Sequence, residues 1–321
     1  MANTETKQLD AIISSRRQLL AIGGVALAGL AFAPKAQAAA AVTDNDILNF
    51  ALNLEYLEAQ FYNLAANGVT IDNLPSPIPV AVNGGTAGTV TLKPSFAAVP
   101  FSSTLIKNYA LETAVEEGKH VLFLQSALGK NAVSMPNIDL YNSFNGLATL
   151  AGLGSAFDPF ASDANFLIGA YIFEDVGVSA YGGAAALISD KTVVLPAAAG
   201  ILAVEAYHAG LVRTSINELD AGAGVLTGYT QAISTARATL ANGSGGTVDD
   251  IGVTTAMVAL NGSSATYPAL TIADASTDHS LAFTRSTTQV LAIVTAGGVT
   301  TGGTTKYTGA FFPAGLNGTI S

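Results

Sequence analysis

Apolar residues recur every three or four positions in four separate stretches of the chain, which is the spacing of one face of an α-helix. The first stretch follows Thr43 and ends near Gly68, and the second covers residues 103–128. The third covers about 163–189 and the fourth about 196–219. Thr43 can cap the first helix and Gly68 can end it. The pattern therefore predicts four helices of about 24 residues, a length that suits a helical bundle.

The segments between and after these helices have a different composition. Residues 69–100 are rich in Pro, Gly, Thr and Val, which predicts a long loop or a small β-hairpin packed on the bundle. Residues 130–162 predict a second irregular crossing, from the second helix to the third. In 222–321, Thr, Gly and Ser dominate, which predicts short strands and one helical turn near 287–295. We therefore expect a bundle domain at 39–221, with an insertion, and a β-rich C-terminal extension.

The first 38 residues have the layout of an export signal. Arg16 and Arg17 precede a short apolar run, and a small-x-small motif at 36–38 follows it. The paired arginines are similar to a twin-arginine signal. An N-terminal anchor helix is the alternative. We therefore expect the mature protein to begin near Ala39 and to be exported, to the periplasm or to the cell surface and beyond.

Composition and charge exclude several classes of function. The 321 residues are 50% hydrophobic and 11% charged, with no Cys, which excludes a disordered chain, a disulfide-stapled miniprotein and a thiolate metal site. A formal net charge of −10 would be repelled by phosphate backbones, so nucleic acid is not an expected partner. Past the signal, charges, Gly or Pro break each apolar run, so no stable membrane span is expected.

Two of the four helices carry the same Glu-x-x-His motif. Glu117 and His120 lie on the second helix, and Glu205 and His208 lie on the fourth. Residues at i and i+3 share a helix face, so the carboxylate and the imidazole can bind the same metal ion. A buried carboxylate needs such a partner, because burying it alone costs several kcal/mol.

The other two helices each carry a Glu with a Tyr seven residues later. These pairs are Glu55 with Tyr62, and Glu174 with Tyr181. Each half of the chain is thus a Glu helix followed by a Glu-x-x-His helix, and the halves differ in length by about the insertion at 69–100. Two such halves that meet in a bundle supply the ligands of a carboxylate-bridged dinuclear site. The predicted metal ligands are Glu55, Glu117, His120, Glu174, Glu205 and His208.

Other polar residues near these motifs are weaker candidates. Glu58 lies one turn from Glu55, so it is either the true ligand of the first helix or a partner of that ligand, and the repeat favours Glu55. Tyr62 and Tyr181 can hydrogen-bond a ligand carboxylate or simply pack in the core. Four further residues are expected on solvated edges, on the helix surface or in structural positions: Glu112, Glu116, Asp175 and His279.

The segments that carry these motifs resemble a known family. They are Asn53–Tyr62, Glu117–Val121, Phe173–Asp175 and Glu205–His208. They are similar to the ferritin-like domain family that includes plant desiccation-related proteins and bacterial twin-arginine-exported relatives. The resemblance covers about 43–219, and 283–291 with 309–318 look like an extension of those relatives. It implies a mainly α fold, a ferritin-like four-helix bundle with a di-metal scaffold, without fixing one reaction.

We therefore expect an exported ferritin-like protein that binds two iron or manganese ions and reduces O₂ or peroxide, with ferroxidase, peroxidase or catalase-like activity. Glu117 and Glu205 would bridge or chelate, and each histidine would hold one metal. The alternative is a non-catalytic stress-protective or surface-binding protein on the same scaffold, which the insertion and extension favour. A storage cage is the least favoured option, because those segments would obstruct a tight shell. Metal ions are the expected partners, and a homo-oligomer stays open.

Overall fold

The computed structural model describes residues 42–243, 249–259, 266–276, 279–302 and 304–321. This part of the chain contains seven α-helices and several short strands. The helices are α1 Asp44–Asn67, α2 Thr104–Leu128, α3 Asn142–Leu150, α4 Asp163–Ala184, α5 Val194–Asp220, α6 Val225–Asn242 and α7 Thr287–Val294. The strands are β1 Val90–Thr91, β2 Ile138–Asp139, β3 Thr255–Ala259, β4 Thr266–Leu270, β5 Val299–Gly302 and β6 Thr304–Tyr307. The predicted export signal lies outside the described residues.

Helices α1, α2, α4 and α5 form the predicted bundle, so the expectation of a mainly α fold built on a four-helix bundle is confirmed. α1 packs mainly on α2, and α4 packs mainly on α5. Thr43 and Asp46 form a reciprocal cap at the start of α1, and Gly68 ends the helix in the left-handed region. Ser103 and Ser162 cap α2 and α4 more simply, because each side-chain oxygen accepts one backbone N–H of the first turn. The bundle helices share one hydrophobic core with α7 and the C-terminal segment.

The insertion at 69–100 is a long loop and not a hairpin of its own. Its strand β1 pairs in parallel with β2, so that Val90 lies beside Ile138 and Thr91 beside Asp139. Strand β2 belongs to the crossing from α2 to α4, which also contains α3. The expectation that this crossing is wholly irregular was therefore wrong. α3 buries Phe144 and Ala148, which are too few to give a nine-residue helix a clear apolar period.

The extension, residues 222–321, contains the predicted strands and the predicted helix near 287–295. β3 pairs antiparallel with β4, and β5 pairs antiparallel with β6. The extension also contains α6, an 18-residue helix that the composition did not predict. The residues that α6 buries are spaced as one helical stripe, but most of them are polar: Thr230, Ile233, Ser234 and Arg237. An apolar-period argument therefore overlooks the helix.

The extension packs directly on helix α4. The backbone N–H of Arg285 donates to the carbonyl of Ser179 at 2.9 Å. Gly183 permits this approach, because a Cβ there would collide with the carbonyl of Arg285. The extension is thus held against the same helix that carries Glu174.

Among the described residues, only α5 is long and apolar enough to span a membrane by length and composition. Three of its polar side chains, Glu205, His208 and Arg213, are buried inside the bundle. Of the most apolar 18-residue window of α5, 28% is buried in the described structure, so burial in the core accounts for its apolar composition only in part.

Candidate metal centre

All six predicted ligand residues meet in the middle of the bundle. Each is buried: Glu55, Glu117, His120, Glu174, Glu205 and His208. They form two groups in which the donor atoms lie within 4.8 Å of one another. One group contains Glu55, Glu117, His120 and Glu205, and the other contains Glu117, Glu174 and His208. Glu117 belongs to both groups, so its carboxylate lies between the two halves of the repeat.

His120 turns one ring nitrogen toward three carboxylates. Its Nδ1 lies 3.2 Å from Oε2 of Glu55, 3.4 Å from Oε2 of Glu117 and 3.5 Å from Oε1 of Glu205. The i, i+3 spacing on α2 places His120 and Glu117 on the same face, as the motif predicts. Glu205 comes from α5 in the other half, so this group joins both halves of the bundle.

His208 has a similar environment with one addition. Its Nδ1 lies 2.9 Å from Oε1 of Glu117 and 3.6 Å from Oε2 of Glu174. Its other nitrogen, Nε2, lies 2.7 Å from Oε2 of Glu116. Glu116 is only 36% exposed in its side chain and faces inward to this ring, so a purely solvated edge was the wrong expectation for it. The corresponding position before Glu205 is Val204, so the repeat gives His120 no such carboxylate.

Two tyrosines hold the terminal glutamates from opposite halves. The hydroxyl of Tyr62 donates to Oε1 of Glu174, and the hydroxyl of Tyr181 donates to Oε1 of Glu55. Of the two alternatives that the sequence left open for these tyrosines, the structure shows the hydrogen bond to a glutamate. In each glutamate the second oxygen, Oε2, is left facing a histidine. The tyrosines therefore orient the carboxylates toward the centre.

Glu58 is buried on the edge of the centre and belongs to neither group of donor atoms. Burial raises its pKa well above the ordinary value, and the charges of Glu117 and Glu174 raise it further. The arrangement therefore favours Glu55 over Glu58 as the donor from α1. We call the seven residues Glu55, Glu58, Glu117, His120, Glu174, Glu205 and His208 the glutamate–histidine cluster.

The glutamates of this cluster are too close together to be ionised at the same time. Burial, followed by the charge of Glu117, raises the pKa of Glu55 to about 7. Burial also raises the pKa of Glu174 to about 8, with a further contribution from Glu117. The pKa of Glu205 is raised well above its ordinary value for the same two reasons. Without a cation the cluster must hold protons instead.

The histidines respond in the opposite direction. Burial alone would lower the pKa of each imidazole, but the surrounding carboxylates raise that of His120 to about 11 and that of His208 to about 10. Burial also works against ionisation of Glu117, yet the nearby rings of both histidines lower its pKa. Glu117 is thus the carboxylate that the cluster keeps charged.

The donor set fits a pair of cations. Both carboxylate oxygens of Glu117 and of Glu205 are buried without a well-aligned hydrogen bond from any described residue, and so is Oε2 of Glu174. Buried oxygens without a donor are costly unless a cation or proton compensates them. Mixed carboxylate and imidazole ligands suit iron and manganese. Bound cations would therefore compensate the surplus of buried carboxylates over imidazoles.

Gly177 leaves room for the carboxylate of Glu205 because it has no side chain. A Cβ at this position of α4 would collide with Oε2 of Glu205. The helix thus offers a flat patch against which the carboxylate of α5 lies.

A second buried group of charges, which sequence reasoning missed, begins one residue after Glu174. Asp175 was expected on the helix surface, but it is buried and its Oδ2 lies 2.9 Å from both Arg213 and Arg237. The Nη2 of Arg285 lies 2.8 Å from Oδ1 of Asp249 and 2.6 Å from Oδ2 of Asp250. We call this set the arginine–aspartate cluster: Asp175, Arg213, Arg237, Asp249, Asp250, Asp274 and Arg285.

The remaining candidates lie outside both clusters. Glu112 is exposed, as expected. His279 lies in an exposed turn of the extension.

Comparison with known proteins agrees with this geometry. The model of the ferritin-like domain matches residues 43–218, which is more than half of the chain. The chain belongs to the ferritin-like domain family. It is also 33% identical over 182 residues to the desiccation-related protein PCC13-62 of Craterostigma plantagineum. The match covers 55% of this chain and 54% of that protein, so the chain spans about half the length of the curated relative.

No solved structure matches the chain. The family that the motifs resemble is nevertheless confirmed by the domain match, and the matched residues contain all four bundle helices nearly in full.

Proposed function

We propose that this ferritin-like protein binds two iron or manganese ions in the glutamate–histidine cluster and uses them to reduce O₂ or peroxide. The observation that carries the proposal is the convergence of six buried donor residues with orphaned carboxylate oxygens. Iron or manganese bound there supplies one-electron redox chemistry to such an oxidant. A ferroxidase, peroxidase or catalase-like activity would follow.

The residues of the chain divide the work at this centre. Glu117 faces both histidines, so it is the donor best placed to serve both metal positions. Tyr62 and Tyr181 orient Glu174 and Glu55. Glu116 holds Nε2 of His208, and hydrogen bonds of this kind fix the ring and its tautomer.

Glu116 also offers a route for protons. Its carboxylate is partly exposed and lies 2.7 Å from Nε2 of His208, so it can exchange a proton between solvent and this nitrogen. The rest of the centre is enclosed by apolar side chains, which exclude water and strengthen each electrostatic contact.

We further propose that the protein is exported. Support comes from the paired arginines Arg16 and Arg17, the apolar run after them and the small-x-small motif at 36–38. Amino-terminal sequencing of the exported protein should give a start at or near Ala39. Replacement of both arginines by lysine should retain the precursor in the cytoplasm, and mature protein with Met1 intact in the cytoplasm would contradict the proposal.

The second candidate is a non-catalytic protective protein on the same scaffold. It is favoured by the name of the relative, which is called desiccation-related, and by the extension that packs on α4. A minimal oxidase has no need for that extension. In this case metal would stabilise the bundle without turnover.

Metal analysis tests the centre itself. Purified protein loaded with Fe(II) or Mn(II) should bind about two ions per chain. His120→Ala and His208→Ala should each lower that content, whereas the exposed His279→Ala should not. A metal-free wild-type protein after loading, together with no change of melting temperature in metal, would rule the centre out.

Turnover separates the two candidates. With metal bound, the wild-type protein should oxidise Fe(II) or small phenols with O₂ or peroxide. Glu55→Ala should abolish this activity with the helical circular dichroism retained, and Glu58→Ala should keep most of it. Metal binding with no turnover of these substrates would favour the protective role, and a dead Glu58→Ala variant beside an active Glu55→Ala would assign the ligand to Glu58.

A further inference from the structure

A small apolar cavity lies directly beside the glutamate–histidine cluster. Its volume is about 20 Å³, and it is enclosed by α1, α4, α7 and the segment after β6. Its lining includes Leu54 and Leu57 of α1, Val176 of α4, and Ile293 of α7. The lining residue with an ionisable group is Glu58 of the cluster itself. We call this space the middle cavity.

One residue of its lining, Gly177, lies between the middle cavity and Glu205. Gly177 is part of its lining, and Gly177 is the residue whose bare backbone lies against Oε2 of Glu205. A molecule in the cavity is therefore separated from a predicted metal ligand by a glycine alone.

A second cavity, which we call the outer cavity, adjoins the first. Its volume is about 30 Å³, and it shares Ile172 and Ile293 with the middle cavity. Helices α3 and α6 form its far side, where the half-buried residues Leu153 and Leu240 place it just below the surface. The two shared isoleucines therefore separate a space near solvent from a space near the cluster.

A third cavity of about 20 Å³ lies at the other end of the middle one and shares Leu54 with it. Helix α4 contributes to all three spaces on successive turns, through Ile168 and Ile172, then Val176, then Ala180. This i, i+4 spacing puts the residues on one face of the helix. The cavities thus form a line along α4.

Size and lining together decide what could enter. Each cavity has room for about one or two water-sized molecules and is lined mainly by apolar side chains, with Arg237 at the outer cavity and Glu58 at the middle one. An apolar space of this size stays dry while it accepts apolar guests such as xenon. A cation or a polar substrate would lose its hydration there without replacement. A long apolar chain would need far more room. The remaining class is a small apolar gas.

We propose that this line of cavities binds small apolar gas molecules and conducts dioxygen to the glutamate–histidine cluster. The binding stands on the cavities alone, and the use of dioxygen rests on the proposed function. The inference also gives the extension a role, since α6, α7 and Phe311 build walls of the outer and middle cavities.

Xenon tests the binding without any metal. Crystals of the protein under xenon pressure should show anomalous density in the middle cavity beside Val176. In solution, ¹²⁹Xe NMR should report a bound environment. Val176→Ile adds one methylene group to this space and should abolish that signal. Val212→Ile makes the same change at a buried site of α5 that lines none of the three cavities, and should keep it. Absence of xenon from the wild-type protein, or unchanged occupancy in Val176→Ile, would overturn the proposal.

Oxygen kinetics test the conduction. In Fe(II)-loaded protein, Val176→Ile should raise the KM for O₂ by about threefold or more, with unchanged metal content and unchanged kcat at saturating O₂. Ile293→Phe, which narrows the junction of the outer and middle cavities, should act in the same direction. An unchanged KM for O₂ in both variants would overturn the conduction step even with xenon bound. Failure of the wild-type protein to bind metal would sink the proposed function, and the xenon result would still decide the gas site.

Discussion

Glu174 and Asp175 are neighbours on α4, yet they belong to two buried clusters that are built in opposite ways. In the glutamate–histidine cluster five glutamates surround two histidines, and several carboxylate oxygens have no well-aligned donor. In the arginine–aspartate cluster three arginines meet four aspartates. Burial, with repulsion from Asp175 and Asp250, raises the pKa of Asp274 to about 8, so near neutral pH the charges of this cluster balance.

The two clusters therefore differ in charge balance and not in burial. A buried ion pair whose partners are all present is tolerated, whereas a surplus of one sign must be compensated from outside. The charges of the arginine–aspartate cluster balance among themselves, although Oδ1 of Asp175 and Oδ1 of Asp250 also lack a well-aligned donor among the described residues. This cluster connects α4 and α5 of the bundle with α6 and the rest of the extension, through Asp175, Arg213, Arg237 and Arg285. The glutamate–histidine cluster is complete only with protons or cations.

The largest expected effect is on the free energy of unfolding, which should change in opposite directions when Asp175 and its neighbour Glu174 are each neutralised. Asp175→Asn removes the charge that faces both Arg213 and Arg237, so it should lower the free energy of unfolding by about 3–5 kcal/mol. Glu174→Gln removes a surplus acid and keeps the oxygen that accepts from Tyr62, so in metal-free protein it should leave that free energy unchanged or raise it. Urea unfolding of metal-free protein near pH 7 measures both values.

If both variants lost the same free energy of unfolding, the comparison would fail. The ionised form of Glu174 would then stabilise the metal-free protein as much as that of Asp175 does. Metal-loaded protein provides the converse measurement. There Glu174→Gln should be the damaging change, since it removes a predicted ligand and with it the stabilisation that bound metal provides.

The next effect concerns the flat patch under Glu205. Gly177→Ala places a Cβ against Oε2 of Glu205 and should displace this carboxylate, which would weaken metal binding by about 10- to 100-fold. Gly210→Ala is the matched control, because a Cβ there has no neighbour within 4 Å. The control should bind metal normally and gain about 0.5–1 kcal/mol of stability from helix propensity. Calorimetric titration with Mn(II) gives the affinities, and equal affinities in both variants would remove Glu205 from the ligand set.

A smaller effect would show that the two halves of the centre are not equivalent. Glu116 lies against Nε2 of His208, and Val204 takes the matching place near His120. Glu116→Gln should therefore weaken one of the two metal positions by about tenfold and leave the other unchanged. Glu112→Gln, on the exposed side of α2, is the control and should alter neither. Equal weakening of both positions would contradict an asymmetric role for Glu116.

The apolar periodicity was sufficient to predict the four bundle helices, and the sequence repeat was sufficient to predict which six residues meet between them. Both predictions depend on local spacing. The Glu-x-x-His motifs fix a helix face by themselves, and the matching Glu-x₆-Tyr pairs identify the facing helices. Glu116 could not be assigned this way. Its neighbour Glu117 points into the core, and adjacent helix positions differ in direction by about 100°, so sequence alone favours a solvated Glu116.

The arginine–aspartate cluster could not be predicted from the sequence for a different reason. Asp175 meets Arg213 and Arg237 across separations of 38 and 62 residues, and no local spacing connects them. Arg237 lies on α6, whose buried face is mainly polar and so lacks an apolar period. The clue was the scarcity of cations: a chain with 13 Lys and Arg has few to place in apolar stretches, and Arg213 and Arg285 both lie in such stretches.

The smallest expected effect tests the one aspartate that keeps the arginine–aspartate cluster in balance. The raised pKa of Asp274, about 8, means that between about pH 4 and pH 8 the folded state holds a proton that the unfolded state has released. The free energy of unfolding therefore falls as pH rises through this window. Asp274→Asn removes this dependence and keeps the oxygen that accepts from the N–H of Ile251. Relative to wild type, the variant should gain about 1 kcal/mol of stability on going from pH 7 to pH 8, measured by urea unfolding at both values. A difference between variant and wild type that is independent of pH would mean that Asp274 is ionised in the folded protein and that the arginine–aspartate cluster also carries surplus acid.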